Sequence, residues 1–289
     1  MEVSNDLRVR PATSRDISQL DELISRGRFV HRHMDWRTPL EWIGNAPFLV
    51  LENGGSIVSV LACPPDPDTI GWVRVFCSDG SISVDKCWRY LWQKVKLDLS
   101  SNAIAKVAVI SVGEWLQEIL DKSELILHQD IIMMCWDTGE LEYEQAEGDL
   151  NIRRMVPDDL YQVEQLDKLA FEPIWHNSLN ALKKAFDQAA YASVVTEKDM
   201  LIAYQVSTQN LMGGHLARLA VHPGHQDQGL GSKMTVDLMT TLTRMGAQRI
   251  TVNTQSDNPA SLALYRKLGF KETGERYPVY LYEGAAPGD

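Results

Sequence analysis

The second half of this chain repeats the first. Leu150–Leu166 (LNIRRMVPDDLYQVEQL) lies on residues 7–23, so that Arg10 matches Arg153, Asp16 matches Asp159, Gln19 matches Gln162 and Leu23 matches Leu166. Further on, Ile57–Leu61 lies on Leu201–Gln205, and Trp72–Phe76 on Leu216–Ala220. A period of about 140 residues is too long for a solenoid unit and is the size of a whole domain. Duplication of one α/β domain explains it, and 289 residues suffice for two such domains.

Each half reads strand, helix, hairpin strands, helix, strand, helix, strand. In the first half Ile17, Leu20, Leu23 and Ile24 recur at helical spacing, with Thr13 or Ser14 as N-cap. Phe48–Leu51 and Ile57–Leu61 flank Glu52-Asn53-Gly54-Gly55, a hairpin signal. Trp72–Phe76 reads as a strand, Asp85–Leu99 as a helix, Val107–Ile110 as a strand, Glu114–Leu120 as a short helix and Ile131–Met134 as the last strand. Tyr277–Tyr282 closes the second half as a strand. The expected fold class is α/β (α+β), with one domain at 1–137, an acidic linker poor in aliphatic residues at 138–148, and a second domain at 149–289.

Bulk composition narrows the function. The net charge of −11 argues against nonspecific nucleic-acid binding, which needs a positive surface. No run of about 18 apolar residues predicts a transmembrane helix, and the acidic, polar N-terminus does not resemble a signal peptide, so no membrane partner and a cytoplasmic location are expected. Cys63, Cys77, Cys87 and Cys135 form no C-x-x-C pair and read as reduced thiols; no metal site is visible.

The halves differ most at Leu219–Met234 (LAVHPGHQDQGLGSKM), an apolar strand, a glycine-containing turn and a helix start. Gln226, Gly229 and Gly231 fit Gln-x-x-Gly-x-Gly. Glycines there are expected to let the backbone turn tightly and to admit another molecule close to the amides. A helix N-terminus beside such a turn suits a pyrophosphate. A Rossmann turn would need G-x-G-x-x-G after the first strand, and a P-loop G-x-x-x-x-G-K-[ST]; this stretch is neither. The first half has only Gly80 in the corresponding Cys77–Lys86 and lacks the pattern.

Downstream, Ile250–Phe270 reads strand, turn, helix and a glycine stop at Gly269. Here the chain resembles the GNAT superfamily of acyl-CoA-dependent N-acyltransferases. The family's Q/R-x-x-G-x-G/A loop matches Gln226–Gly231. Its later Asn-x-x-Ala/Ser-x-x-Leu-Tyr-x-x-x-Gly-Phe matches Asn258, Ser261, Leu264, Tyr265, Gly269 and Phe270. The match covers roughly 150–283 well and 7–136 only as an echo of organisation. The layout resembles two tandem GNAT-like domains, each a mixed, mostly antiparallel sheet flanked by helices, with a degenerate N-terminal half.

The resemblance implies roles. Backbone groups of Leu219, Ala220 and Val221 would hold the pantetheine arm of acetyl-CoA, and the amides of Gln226, Asp227, Gln228, Gly229, Leu230, Gly231 and Ser232 would cradle its pyrophosphate. Asn258 and Ser261 would secure the cofactor arm or its turn; an Asn-Pro helix cap is a second, compatible role for Asn258. Lys233 is a helix lysine near the cradle. Tyr265 is the expected general acid: a phenol of pKa about 10 can protonate a thiolate whose acid has a pKa near about 8.5. Relatives of the ribosomal-protein type carry a glutamate base at the position held here by Asn253, and many others carry one on the strand that reads Leu216-Ala-Arg-Leu219. Neither is present, which leaves His215, His222, Glu172 or ordered water as the base. Phe171–His176 falls where the family lines its acceptor site, with Glu172 and Trp175 placed to hold an amine.

The implied activity is transfer of an acetyl group from acetyl-CoA to a primary amine, on a small molecule or a protein, without a covalent enzyme intermediate. The alternatives are another acyl-CoA with a small-molecule acceptor, and a non-catalytic acyl-CoA sensor. The chain would act as a monomer or a homodimer.

Overall fold

The structure, a computed structural model, describes residues 7–67, 69–99, 104–139 and 151–284. Residues 140–148 of the expected linker lie outside the described residues. The chain forms two compact units, Met1–His128 with Pro278–Asp289, and Gln129–Tyr277.

Unit 1 contains β1 (Leu7–Pro11), α1 (Ile17–Arg26), β2 (Phe29–Arg32), β3 (Phe48–Asn53), β4 (Ser56–Ala62), β5 (Ile70–Trp72), β6 (Val75–Ser78), α2 (Val84–Asp98), β7 (Lys106–Ile110) and α3 (Glu114–Leu120). Gly54 and Gly55, at φ 58° and 87°, make the expected tight hairpin turn between β3 and β4. The sheet runs β1-β3-β4-β6-β2. Side chains alternate across it. Leu49, Leu51 and Phe76 pack against Trp88, Leu91, Trp92 and Val95 of α2. Val50, Val60 and Val75 pack against Leu20, Leu23 and Ile24 of α1. Trp42 and Trp72 are buried as well.

The strand expected at Trp72–Phe76 is two strands. Its first part, β5, pairs parallel to β7, and the Val73 N–H still donates to Ala108 O at 2.9 Å. The Arg74 N–H then donates to Ala62 O, while Arg74 O accepts the His33 N–H. From there β6 leaves β7, and β2 pairs along the edge so exposed, from Arg32 with Val75 to Phe29 with Ser78.

Unit 2 contains most of β8 (Ile126–Asp137), then β9 (Ile152–Arg154), α4 (Leu160–Ala170), α5 (Leu179–Gln188), β10 (Tyr191–Glu197), β11 (Met200–Asn210), β12 (Gly213–Val221), α6 (Leu230–Arg244), β13 (Arg249–Gln255), α7 (Pro259–Lys267) and the first part of β14 (Lys271–Glu283). Its strands run β9-β10-β11-β12-β13-β8, antiparallel except for the parallel pair β12-β13. Leu216, Ile250 and Val252 pack with Leu238, Met239 and Leu242 of α6.

The units do not follow the two halves of the sequence. Ile131–Asp137 pair with β13 in unit 2, and Val279–Glu283 pair with β7 in unit 1. Elsewhere the repeat extends to single hydrogen bonds. Arg10 makes a two-pronged pair with Asp16, and Arg153 does so with Asp159. Gln19 Oε1 accepts the Ile57 N–H, and Gln162 Oε1 accepts the Leu201 N–H.

Candidate active site

The site begins where the unit 2 sheet splits. β12 and β13 pair only from Gly214–Leu216 to Ile250–Val252. Beyond that β12 stays with β11 as far as Val221, and β13 stays with β8 as far as Gln255. The cause is a bulge on β12. Val206 faces Arg218 while Ser207 faces Leu216, so Ala217 is the extra residue and the strand bends there.

The bend leaves one edge of β12 open. The His222 N–H donates to Ile202 O at 2.8 Å. Backbone groups alternate sides along a strand, so Ala220 also turns toward β11, whereas Leu219 and Val221 turn toward the opening. Ala220 is paired with Tyr204 of β11. Val221 O accepts Gln226 Nε2 at 3.1 Å, which folds the loop back on the strand.

The loop then enters α6. Asp227 and Gly229 have φ of 60° and 78°, and Gly229 caps the helix. Any residue with a Cβ is strained in that region, although nothing lies within 4 Å of the position a Gly229 Cβ would take. Gly231 has a different reason to be small. It is helical, and a Cβ there would meet Leu264 Cδ2 at 3.3 Å. Its role is close packing of α6 rather than turning, which corrects the sequence expectation. The N–H groups of Leu230, Gly231 and Ser232 begin the helix without intrahelical acceptors, at its positive end. Gln228 Nε2 reaches Gly224 O at 3.5 Å. Lys233 is half-buried in the first turn.

Asn258 caps α7, its side-chain oxygen accepting the Ser261 N–H at 3.0 Å. Tyr265 lies on the next turn of α7, in one cluster with Leu216, Val252 and Trp136, its ring 5.6 Å from Phe270. Burial pushes its hydroxyl well above the ordinary tyrosine value. Tyr265 therefore belongs to the sheet face covered by α6 and α7.

The base candidates separate by position. His222 Nδ1 accepts the Gly224 N–H and is part of the turn. Glu172 is exposed. His215 lies on β12 within the last stretch paired to β13, its Nδ1 2.9 Å from Thr251 Oγ1. Burial lowers its pKa, which keeps the imidazole neutral at neutral pH. Asn253 Oδ1 is buried and has no hydrogen-bond partner among the described residues.

One cluster was not foreseen. Asp167, on α4, is fully buried. Its carboxylate accepts Arg218 Nε at 2.8 Å, the Tyr204 hydroxyl, and the Asn177 N–H at 2.8 Å. Arg218, the first residue after the bulge, also donates to Trp175 O at 2.6 Å and lies 3.5 Å over the Phe171 ring. Burial works against the Arg218 charge, but Tyr204 and Asp167 outweigh it and raise its pKa. The signal in the sequence was Arg218 itself, a charge in the middle of an apolar strand.

Residues 160–270 match the acetyltransferase (GNAT) family. Residues 160–270 are thus a GNAT-family domain. N-alpha-acetyltransferase 30 of Schizosaccharomyces pombe is 28% identical over 96 residues, 32% of this chain and 64% of that protein. The ribosomal protein bS18 alanine N-acetyltransferase of Escherichia coli is 30% identical over 86 residues, 30% of this chain and 58% of that protein. The chain thus spans less than two thirds of either relative. Among solved structures, a tandem GNAT protein from the clavulanic acid biosynthesis pathway aligns with a TM-score of 0.67 at 13% identity, over 98% of this chain and 100% of that one. A probable N-acyltransferase of Enterococcus faecalis aligns with a TM-score of 0.73 at 7% identity, over 96% of this chain and 72% of that one. At such identities the likeness establishes the fold alone, which is that of two tandem GNAT-like domains.

Proposed function

We propose that unit 2 transfers an acetyl group from acetyl-CoA to a primary amine by direct attack. The observation that carries this reading is the open edge of β12 at Leu219 leading straight into the amide-lined start of α6. That edge suits an arm bearing amides, and the loop suits a pyrophosphate, so the residues present fit acetyl-CoA. The co-substrate supplies an activated thioester. Leu219 and Val221 would hold its arm, Gln226 through Ser232 its pyrophosphate, and the Asn258–Ser261 cap would keep the adjoining turn in place.

Tyr265 keeps its proton on Oη through the neutral range, available to a departing thiolate on the α6–α7 side. The amine enters from the opposite face. An alkylammonium, with a pKa near about 10.4, must first lose a proton. His215, neutral and beside the opening, or a water held near it takes that proton, and Asn253 Oδ1 offers an acceptor to the amine N–H. The relatives' names point to a protein α-amine as acceptor. A second reading, an acyl-CoA sensor, is favoured by one observation: neither Asn253 nor the Leu216–Leu219 segment supplies a carboxylate base.

Thiol release from acetyl-CoA with a panel of amines separates the two. With the enzyme, Tyr265→Phe lowers kcat by about 100-fold or more at unchanged acetyl-CoA affinity. Unchanged turnover would sink the acid role, and binding of acetyl-CoA with no amine-dependent release would favour the sensor.

A further inference from the structure

Trp175 touches both walls of the split sheet. Its carbonyl oxygen is held by Arg218 Nη2 at 2.6 Å, on the β12 wall just past the bulge. Its indole N–H donates to Gln129 Oε1 at 2.9 Å, and the Gln129 amide nitrogen faces Asp257 Oδ1 at 3.3 Å, the orientation of that amide following from its partners. Gln129 lies on β8 just before Ile131, which pairs with Gln255 at the end of β13, and Asp257 lies in the turn that follows β13. The indole therefore reaches the β13 wall.

The face it crosses is defined by Arg218. Leu219 packs toward Leu230 and Met234 of α6. Arg218, its neighbour in the strand, points the other way, to Asp167 on α4. The segment around Trp175 is tied at several further points: His176 Nε2 lies 2.9 Å from Phe171 O, and the Asn177 N–H is held by the buried Asp167. A residue fixed at its backbone carbonyl and at its indole N–H in this way is a preformed wall.

Resting on the acyltransferase reading, we infer that Trp175 roofs the acceptor face of the opening, admits amines with small neighbouring groups, and keeps water from the thioester. In the reaction it prevents, water forms a C–O bond to the acyl carbon, the C–S bond breaks, and acetate, the CoA thiol and a proton result. Trp175 is a specificity-determining residue in this scheme and takes no part in proton transfer.

The test compares wild type, Trp175→Ala and Trp175→Phe. Calorimetry first measures acetyl-CoA affinity, expected to agree within about twofold among the three because the roof lies opposite the cofactor loop. It then measures binding of alaninamide and phenylalaninamide to each protein saturated with CoA. Wild type should favour alaninamide by about tenfold or more, and Trp175→Ala should lose that preference. Amine-independent release of thiol from acetyl-CoA should rise about tenfold in Trp175→Ala and less in Trp175→Phe, which keeps a smaller aromatic ring without the N–H. Intact acetyl-CoA binding with unchanged amine preference and unchanged hydrolysis in both variants overturns the roof. A wild-type protein that binds no acetyl-CoA overturns the acyltransferase reading itself, and the roof with it.

Discussion

Arg74 in unit 1 and Arg218 in unit 2 occupy matching positions of the repeat and make matching contacts. Arg74 pairs with Asp35 at 3.1 Å, donates to Asp66 O at 3.0 Å, and lies 4.6 Å over the Trp42 ring. Arg218 pairs with Asp167, donates to Trp175 O, and lies over Phe171. In each unit the arginine marks the place where a strand parts from its parallel neighbour. Beyond it the units diverge. In unit 1 the freed edge is taken by β2, and in unit 2 it remains open beside Leu219. The turns that follow diverge too. Ahead of α2, Asp79 Oδ1 accepts both the N–H and the hydroxyl of Ser81, and Ser78 Oγ accepts the Gly80 N–H. Ahead of α6 the side-chain amides of Gln226 and Gln228 turn back instead to the carbonyls of Val221 and Gly224. Unit 1 keeps the frame of the site but fills the groove with its own strand, and its own side chains tie the turn where unit 2 carries the glycine loop. The arginine–aspartate pair, present in both, is therefore part of the frame.

The strongest test of that division acts on the shared clamp. Arg218→Met leaves Asp167 buried without its cation and should reduce stability by about 3–5 kcal/mol in urea unfolding; Arg74→Met, which strands Asp35, should cost a similar amount. A large loss in one variant alone would break the equivalence of the two clamps.

A smaller effect sharpens the contrast in ligand binding. Calorimetry should find one acetyl-CoA per chain. Gly229→Val forces a β-branched residue to φ 78° and should weaken acetyl-CoA binding about tenfold, from about 1–2 kcal/mol of backbone strain. Gly80→Ala is strained as well, since its Cβ would meet Arg28 Cδ at 2.7 Å, yet acetyl-CoA affinity should not change. A second equivalent of acetyl-CoA, or one lost with Gly80→Ala, would show that unit 1 is not filled.

The smallest effect compares the two N-terminal pairs. The Arg10 guanidinium, helped by the Thr13 N–H, holds the Asp16 carboxyl well below the usual range, and Arg153 with the Val156 N–H holds Asp159 below it too. Both are depressed in the folded state. Their contribution is complete above the unfolded aspartate value of about 3.9 and is lost as pH falls through the folded values. Asp16→Asn and Asp159→Asn should each lower the melting temperature at pH 7 and flatten its decline in acid. An undiminished acid slope in either variant would assign that slope to other carboxylates.

Much of the architecture was legible because it is encoded locally. Asn53-Gly54-Gly55 announces a tight turn from its own backbone preferences. Leu20, Leu23 and Ile24 announce the buried stripe of α1, and the match of Gln19 with Gln162 anticipates equivalent hydrogen bonds. The glycine loop before α6 was readable for the same reason, since a left-handed glycine at a helix start is a local requirement. Arg218 was visible only as an anomaly. Its partners, Asp167, Tyr204 and Trp175, are distant in sequence, and no periodicity connects them.

The sequence by itself determined that two related α/β domains exist, that the second alone carries the glycine loop, and that the Asn258–Phe270 pattern follows that loop. Tertiary structure decided which edge stays open. That choice depends on long-range pairing: β2 folding onto β6, Ile131–Asp137 joining unit 2, Val279–Glu283 joining unit 1, and Trp175 reaching Gln129. Apolar strands offer many such partners at similar local cost, and only the packed whole selects among them.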